Sequence, residues 1–407
     1  MTVVINNERG IALVITLLVV ALLTITVIEF TYSVQIDEHM AHNALSGLQA
    51  SLLARSGINL GEAFLLHDDD YSVDAFTEQW CPDPGVDGHS CRIDEANGQV
   101  LLPQNMRLRV QIVDEGGKLN LNMVRFRTPQ DWTNWRKTRD GDPKNQPHPL
   151  VDWKTAFEAL VASRGLDPTI SDQVLDYWDA VFQARFSTTG GGGAVTTPGQ
   201  PTLSANPIPD AGTNAQLQQL EFASLDDAAV IPGLTPAALR KLRPVLTALP
   251  VANGQTGQLR VNANTAPQVV LSAILGDDEA VNNIISQRSQ TPLKQQDISA
   301  LVSNLNKSGG PPRNAVISML GVTSQYYQVR ASGVVNPNPV TGRGGISRSA
   351  TMLVRRLRRT APQGSSASAV PWTLTQLDWQ KEGGAVLFQP QGDQEPGMDD
   401  QQAVPGS

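Results

Sequence analysis

The chain is poor in the residues that most enzyme and metal chemistry needs. Of its 407 residues, only two are cysteine and five histidine. The histidines, at 39, 42, 67, 89 and 148, form no His-Glu-x-x-His pair, and neither a Gly-x-Ser-x-Gly elbow nor a Walker loop occurs. Four consecutive glycines at 190–193 lack a following Lys-Ser/Thr and a preceding strand, so they read as a linker. A zinc site would need more ligands than Cys81, Cys91 and His89. Cys81 and Cys91 are spaced for one local bridge if their domain lies outside the cytosol, and otherwise read as two reduced thiols. Positive charge is also short. Against 39 Asp and Glu there are 31 Lys and Arg, a net charge of -8, which argues against a nucleic-acid partner. Acidity leaves room for divalent cations.

What the sequence does have is one long apolar run. Residues 11–28 carry no charge and are interrupted in polarity only by Thr16, Thr24 and Thr26. Eighteen residues at about 1.5 Å each give roughly 27 Å, enough to cross a bilayer core. A secretory signal would have a shorter apolar core followed by a small-residue cleavage site. Residues 29–32 offer no such site, and the possible cut lies before the run, between Gly10 and Ile11. Beyond Glu29 the helical pattern continues with no proline before Pro82. Ile36, Met40, Ala44, Leu48 and Leu52 recur every four residues, which predicts an apolar face packed on a soluble domain. One helix over 11–66 would be roughly 84 Å long; a membrane helix followed by a separate helix is the alternative. Gly57 and Gly61 would let a sheet or helix approach closely. Asp68, Asp69 and Asp70 read as solvated chain leaving the helix.

From Arg107 the pattern changes to period two, and 115–117 reads as the turn of a hairpin returning over 118–124. Helices are expected at 153–163, 170–182, 217–223, 235–249, 267–275, 279–288 and 294–305, interrupted by a loop over 188–213. Trp153 and Trp178 read as core. Strands are expected at 325–335, 346–356 and 372–381, and the Pro/Gln/Gly/Asp-rich tail over 389–407 reads as disordered. The fold class is therefore α+β. A long N-terminal transmembrane helix (11–28 in the membrane, 29–66 beyond it) packs on an antiparallel sheet built from 67–128 and 321–388. A large all-α domain over 129–320 is inserted. Stretches 231–236 and 261–266 resemble helix-hairpin-helix units, including those of competence DNA receptors. Their turns hold one glycine, Gly233, or are followed by the acids at 277–279, which would repel phosphate. Arg240, Lys241 and Arg243 read as a solvated helix face.

The polar leader 1–10 ending in Arg9-Gly10, followed by Ile11-Ala12-Leu13-Val14-Ile15-Thr16-Leu17-Leu18, resembles type IV prepilins and pseudopilins. The resemblance implies that a membrane-embedded prepilin peptidase cuts after Gly10. It also implies that Ile11, Leu13, Ile15, Leu17 and Leu18 pack helix on helix in a filament. Ile15 stands where most members of that superfamily carry a glutamate, and K-type minor pseudopilins of type II secretion systems lack it. Residues 112–115 with 119–122 also resemble the I-x-D-x-x-G-x-L-N-L-N stretch of K-type pseudopilins. The implied role is structural rather than enzymatic: the tip of a pseudopilus anchored in the inner membrane, with its body in the periplasm. The implied partners are I-type and J-type minor pseudopilins. Family members bind calcium through acids after an Asp-Trp-x-Asp stretch. Asp176 and Asp179 match it in part, but 183–195 contains no acid. Two other readings stay open: a DNA-uptake pilus component, and an anchored periplasmic protein.

Overall fold

The computed structural model describes residues 8–68, 70, 72–84, 90–94, 101–126, 129–139, 149–186, 221–251, 260–302, 313–336, 345–358 and 372–380. The expected loop at 188–213 and tail at 389–407 lie outside the described residues. Helix α1 runs unbroken over Glu8–Leu66, 59 residues or about 88 Å. After it come β1 (Ser90–Asp94), β2 (Met106–Asp114), β3 (Leu119–Asn120), α2 (Pro129–Arg139), α3 (Pro149–Ser163) and α4 (Ile170–Phe186). Next are α5 (Pro236–Leu242), β4 (Leu246–Thr247), β5 (Val261–Asn262), α6 (Gln268–Leu275), α7 (Asp278–Arg288), α8 (Gln295–Leu301) and α9 (Arg313–Met319). The chain then forms β6 (Leu320–Gly321), β7 (Tyr326–Val335), β8 (Ile346–Arg358) and β9 (Trp372–Gln380).

Both ends of the chain build one sheet, with order β1-β2-β7-β8-β9 and every pairing antiparallel. The second half of α1 crosses its inner face. Two hydrophobic cores result. One lies between α1 and the sheet, with Ile58, Leu65, Trp80, Val110 and Val329 buried in it. The other fills the inserted block and takes in Trp153 and Trp178, as the sequence predicts. In packing terms that block is wider than 129–320, because Leu119, Leu121, Val124, Phe126 and Val322 belong to its core.

Three expectations are corrected. First, 107–124 is not a hairpin. Asp114 accepts a bond from the Gly116 amide at 2.8 Å, capping a 3-10 turn over Glu115–Gly117. The chain then leaves the sheet, and β3 pairs in parallel with β4 of the insertion. The alternating Leu119 and Leu121 feed the second core instead of a second face of the sheet. Secondly, α5 ends at Leu242 rather than continuing to 249. Pro244 lacks the N–H a continuing helix would use, so the helical backbone ends after the cap residue Arg243. Thirdly, 221–224 is not helical and leads into a 3-10 turn over Leu225–Val230; residues 217–220 lie outside the described set. The insertion is therefore helical with two short parallel strand pairs, β3·β4 and β5·β6.

Those pairs carry similar words, Leu-Asn-Leu-Asn at 119–122 and Val-Asn-Ala-Asn at 261–264. In each, the first asparagine accepts a bond from the amide two residues on, at 3.1 Å for Asn120 and 3.0 Å for Asn262. The two cores meet at Asp114, which is fully buried. Its carboxylate accepts bonds from Thr265 Oγ1 at 2.5 Å, Ser324 Oγ at 2.6 Å and Asn262 Nδ2 at 3.1 Å. Burial pushes this carboxyl up from its ordinary range, while its donors pull the other way.

Candidate assembly surface

Among the described residues, the largest exposed apolar surface lies on the first half of α1. Leu13, Ile15, Leu17 and Leu18 are more than half exposed, as are Leu22, Ile25, Val27 and Phe30. The span has a mean hydropathy of 2.7 in its most apolar window, none of which is buried within the chain. Water would not tolerate such a patch; lipid or other helices would. Its threonine hydroxyls are satisfied internally. Thr16, Thr24, Thr26 and Thr31 each donate to a carbonyl three or four residues back, at 2.8–2.9 Å, which suits a medium without water. Gly10 and Ile11 fall in the first turn of α1; their side-chain surroundings lie outside the described residues.

Beyond Glu29 the structure corrects the predicted packing. The row Ile36, Met40, Ala44, Leu48 and Leu52 does not face the sheet. Leu48 and Leu52 are 58% and 56% exposed. The buried row is one of small residues, Ser46, Ala50, Ala54, Gly57 and Gly61, completed by Ile58 and Leu65. The two glycines act as predicted. A Cβ on Gly57 would sit 2.7 Å from Ala331 Cβ, and one on Gly61 would sit 2.5 Å from Val329 Cγ1. Gly333 on β7 answers them, since its Cβ would meet the Ala50 carbonyl oxygen at 2.5 Å. Size, not hydrophobicity, selects the face that meets the sheet, and the larger apolar residues are left pointing outward.

The far end of α1 is fixed by a buried ionic node that sequence reading missed. Arg356, fully buried on β8, bonds Asp68 at 2.9 Å, Asp74, the Leu65 carbonyl oxygen at 3.2 Å and the Tyr327 hydroxyl at 2.7 Å. Asp74 also accepts bonds from the Tyr327 hydroxyl at 2.9 Å and the Ser324 amide at 2.6 Å. Asp68 is thus an inward anchor rather than solvated chain, because the guanidinium offsets its desolvation. Asp70 does lie exposed, and Asp69 is outside the described residues. Burial lowers the Arg356 pKa to about 10 and raises that of Glu78, next to the node, to about 7. Asp68, Asp74 and Glu78 have the mutual spacing of a metal site, but the arginine supplies the positive charge there. The only sequence hint was an arginine at an inward-facing position of a strand.

Cys81 and Cys91 are both buried, beside each other, as free thiols. Burial pushes the Cys81 thiol up. Asp176 is exposed, whereas Asp179 accepts a bond from Trp132 Nε1 at 2.6 Å and pairs with Arg136 at 3.2 Å. Calcium takes six to eight oxygens, several from carboxylates. These two aspartates, one of them engaged by a cation, do not fit that shell. In the basic cluster, Arg243 pairs with Asp226.

The same architecture occurs in a solved structure. A chain of the crystal structure of the GspK-GspI-GspJ complex, from the type 2 secretion system of enterotoxigenic Escherichia coli, matches with a TM-score of 0.50 and 17% identity. The match covers 85% of this chain and 100% of that one. The two chains share a fold. No family model and no curated protein matches the sequence. The GspK-GspI-GspJ match therefore rests on arrangement: one long helix, one antiparallel sheet and additional helices.

Proposed function

We propose that this chain is a K-type minor pseudopilin that caps or nucleates a type II secretion pseudopilus. The observation that carries the proposal is the fold shared over the whole length of a chain from the GspK-GspI-GspJ complex. The bare apolar half of α1 agrees with it, since a helix with no cover inside its own chain needs neighbours. In this reading prepilin peptidase removes residues 1–10 and α1 stays in the inner membrane. The body stands in the periplasm beside I-type and J-type subunits. Ile15 leaves no carboxylate to meet a preceding subunit, which suits the first position in the filament. The bulky insertion would block the position above it. The role is structural, not enzymatic.

The test co-expresses the chain with prepilin peptidase and with I-type and J-type pseudopilins. Intact mass should show loss of the ten-residue leader, and Gly10→Val should abolish that loss. The mature chain should also be recovered with both partners. An uncut wild-type chain, or a cut chain that recovers neither partner, would overturn the reading.

A further inference from the structure

The outer face of the sheet, opposite α1, is rich in arginine although the chain is acidic. Leu108, Val110, Val329 and Ala331 point into the core under α1, so Arg107, Arg109 and Arg330, between them on their strands, point away. Arg92 does the same between the buried Cys91 and Ile93. Arg109 is exposed and the other three are half-buried. Among the described residues, no ion pair includes Arg92, Arg109 or Arg330, and Arg330 donates to Gln328 at 2.7 Å. Asp94, aligned with Arg109, is the one acid in these rows.

The register places the C-terminal exit beside this face. Gln380 pairs with Thr351, Thr351 with Arg330, Arg330 with Gln111, and Gln111 with Arg92. The last described residue of β9 therefore stands in the row of Arg330 and Arg92. At about 4.8 Å per strand, that row is roughly 19 Å wide from β9 to β1. Strand β9 runs from the Arg358 end of β8 toward Thr351, so its direction leads toward the rows of Arg109 and Arg107. The segment beyond β9 carries an excess of acid. Residues 381–407 hold Glu382, Asp393, Glu395, Asp399 and Asp400 against Lys381, a net -4 of the chain's -8. Asp393 lies thirteen positions beyond Gln380, a reach of up to about 43 Å.

We infer that the acidic C-terminal tail lies over the arginine face of its own sheet and covers it until a more acidic partner surface displaces it. Tethering favours the tail over any free competitor, with an effective concentration on the order of millimolar. Lipid headgroups are the wrong source of negative charge. With residues 11–28 in a bilayer, the eighteen residues from Ile28 to Ser46 hold the sheet about 27 Å above it. That is several times the Debye length of about 8 Å.

Arginine modification by phenylglyoxal, read residue by residue by mass spectrometry on the full chain in detergent, tests this directly. Arg92, Arg107, Arg109 and Arg330 should react about threefold more slowly than in a variant carrying Glu382→Gln, Asp393→Asn, Glu395→Gln, Asp399→Asn and Asp400→Asn, the scale of a surface ion pair. High salt should erase the difference, and the exposed Arg240 should react equally in both. Equal rates on the sheet face in the two proteins would overturn the inference. So would protection that survives neutralisation of the tail, or protection that falls on dilution, which would point to a second copy instead.

Discussion

The two halves of α1 are equally helical but differ in everything that holds a helix in place. Over residues 13–45 the helix touches little of its own chain, and leucine, isoleucine and valine point outward on all sides. Over residues 46–66 a seam of alanine and glycine lies against β2, β7 and β8, and the large apolar residues are divided between seam and solvent. The first half is built for an environment that the chain does not supply. The second is built for a close approach that only small residues permit. Hydrophobicity alone would rank the halves in the wrong order of burial, since the more apolar one is bare.

The largest expected effect comes from cutting the second half loose at its end. Replacing Arg356 with methionine leaves Asp68 and Asp74 buried without their cation. Breaking a buried pair in this way costs about 3–5 kcal/mol. Denaturant unfolding of the full chain in detergent, followed by tryptophan fluorescence, should show the body destabilised by that amount, while membrane insertion of the first half is unchanged. An unaltered midpoint would mean that the node does not anchor α1.

A smaller effect separates the halves by size. Gly61→Leu drives a side chain into Val329, where even a Cβ would sit at 2.5 Å. Overpacking of this kind costs about 1–3 kcal/mol. Ala21→Leu, the same enlargement on the bare half, should leave the midpoint within about 0.5 kcal/mol of wild type. If both variants behaved alike, the seam would not be what distinguishes the halves.

Much of this was legible in sequence. The span, the unbroken length of α1, the two glycines and the strands that rejoin the sheet follow from periodicity and from the absence of proline. The direction of the second half was not. A row of five apolar residues at four-residue spacing looks like a core face, and only the presence of Gly333 and Ala331 across the gap shows why the alanine row won. The false hairpin has a similar origin. Alternation over 119–124 is real, but it faces a second core whose partner, β4, lies more than a hundred residues away. Alternation places Arg356 on the inward face with Met352 and Val354, but nothing local names its partners Asp68 and Asp74, which come from a distant loop. Long-range partners of polar groups leave no periodic trace.

The smallest effect on the isolated chain is also the one that best sharpens the comparison. Leu48 and Leu52 lie in the second half yet share the exposure of the first. Leu48 is twenty residues beyond the end of the apolar run, or about 30 Å, so with that run in a bilayer it would stand in water rather than in lipid. Truncating both to alanine removes almost no buried surface and should shift stability by less than about 0.5 kcal/mol. Covered by a neighbouring helix, each would contribute a fraction of the roughly 1.5–3 kcal/mol that full burial of a leucine is worth. The double variant should therefore lose about tenfold in affinity for the I-type and J-type subunits proposed as partners, a difference of about 1.4 kcal/mol. Titration of the purified chains in detergent measures it. Full affinity with both leucines gone would confine the assembly surface to the membrane-embedded half and leave the outward row above it without a partner.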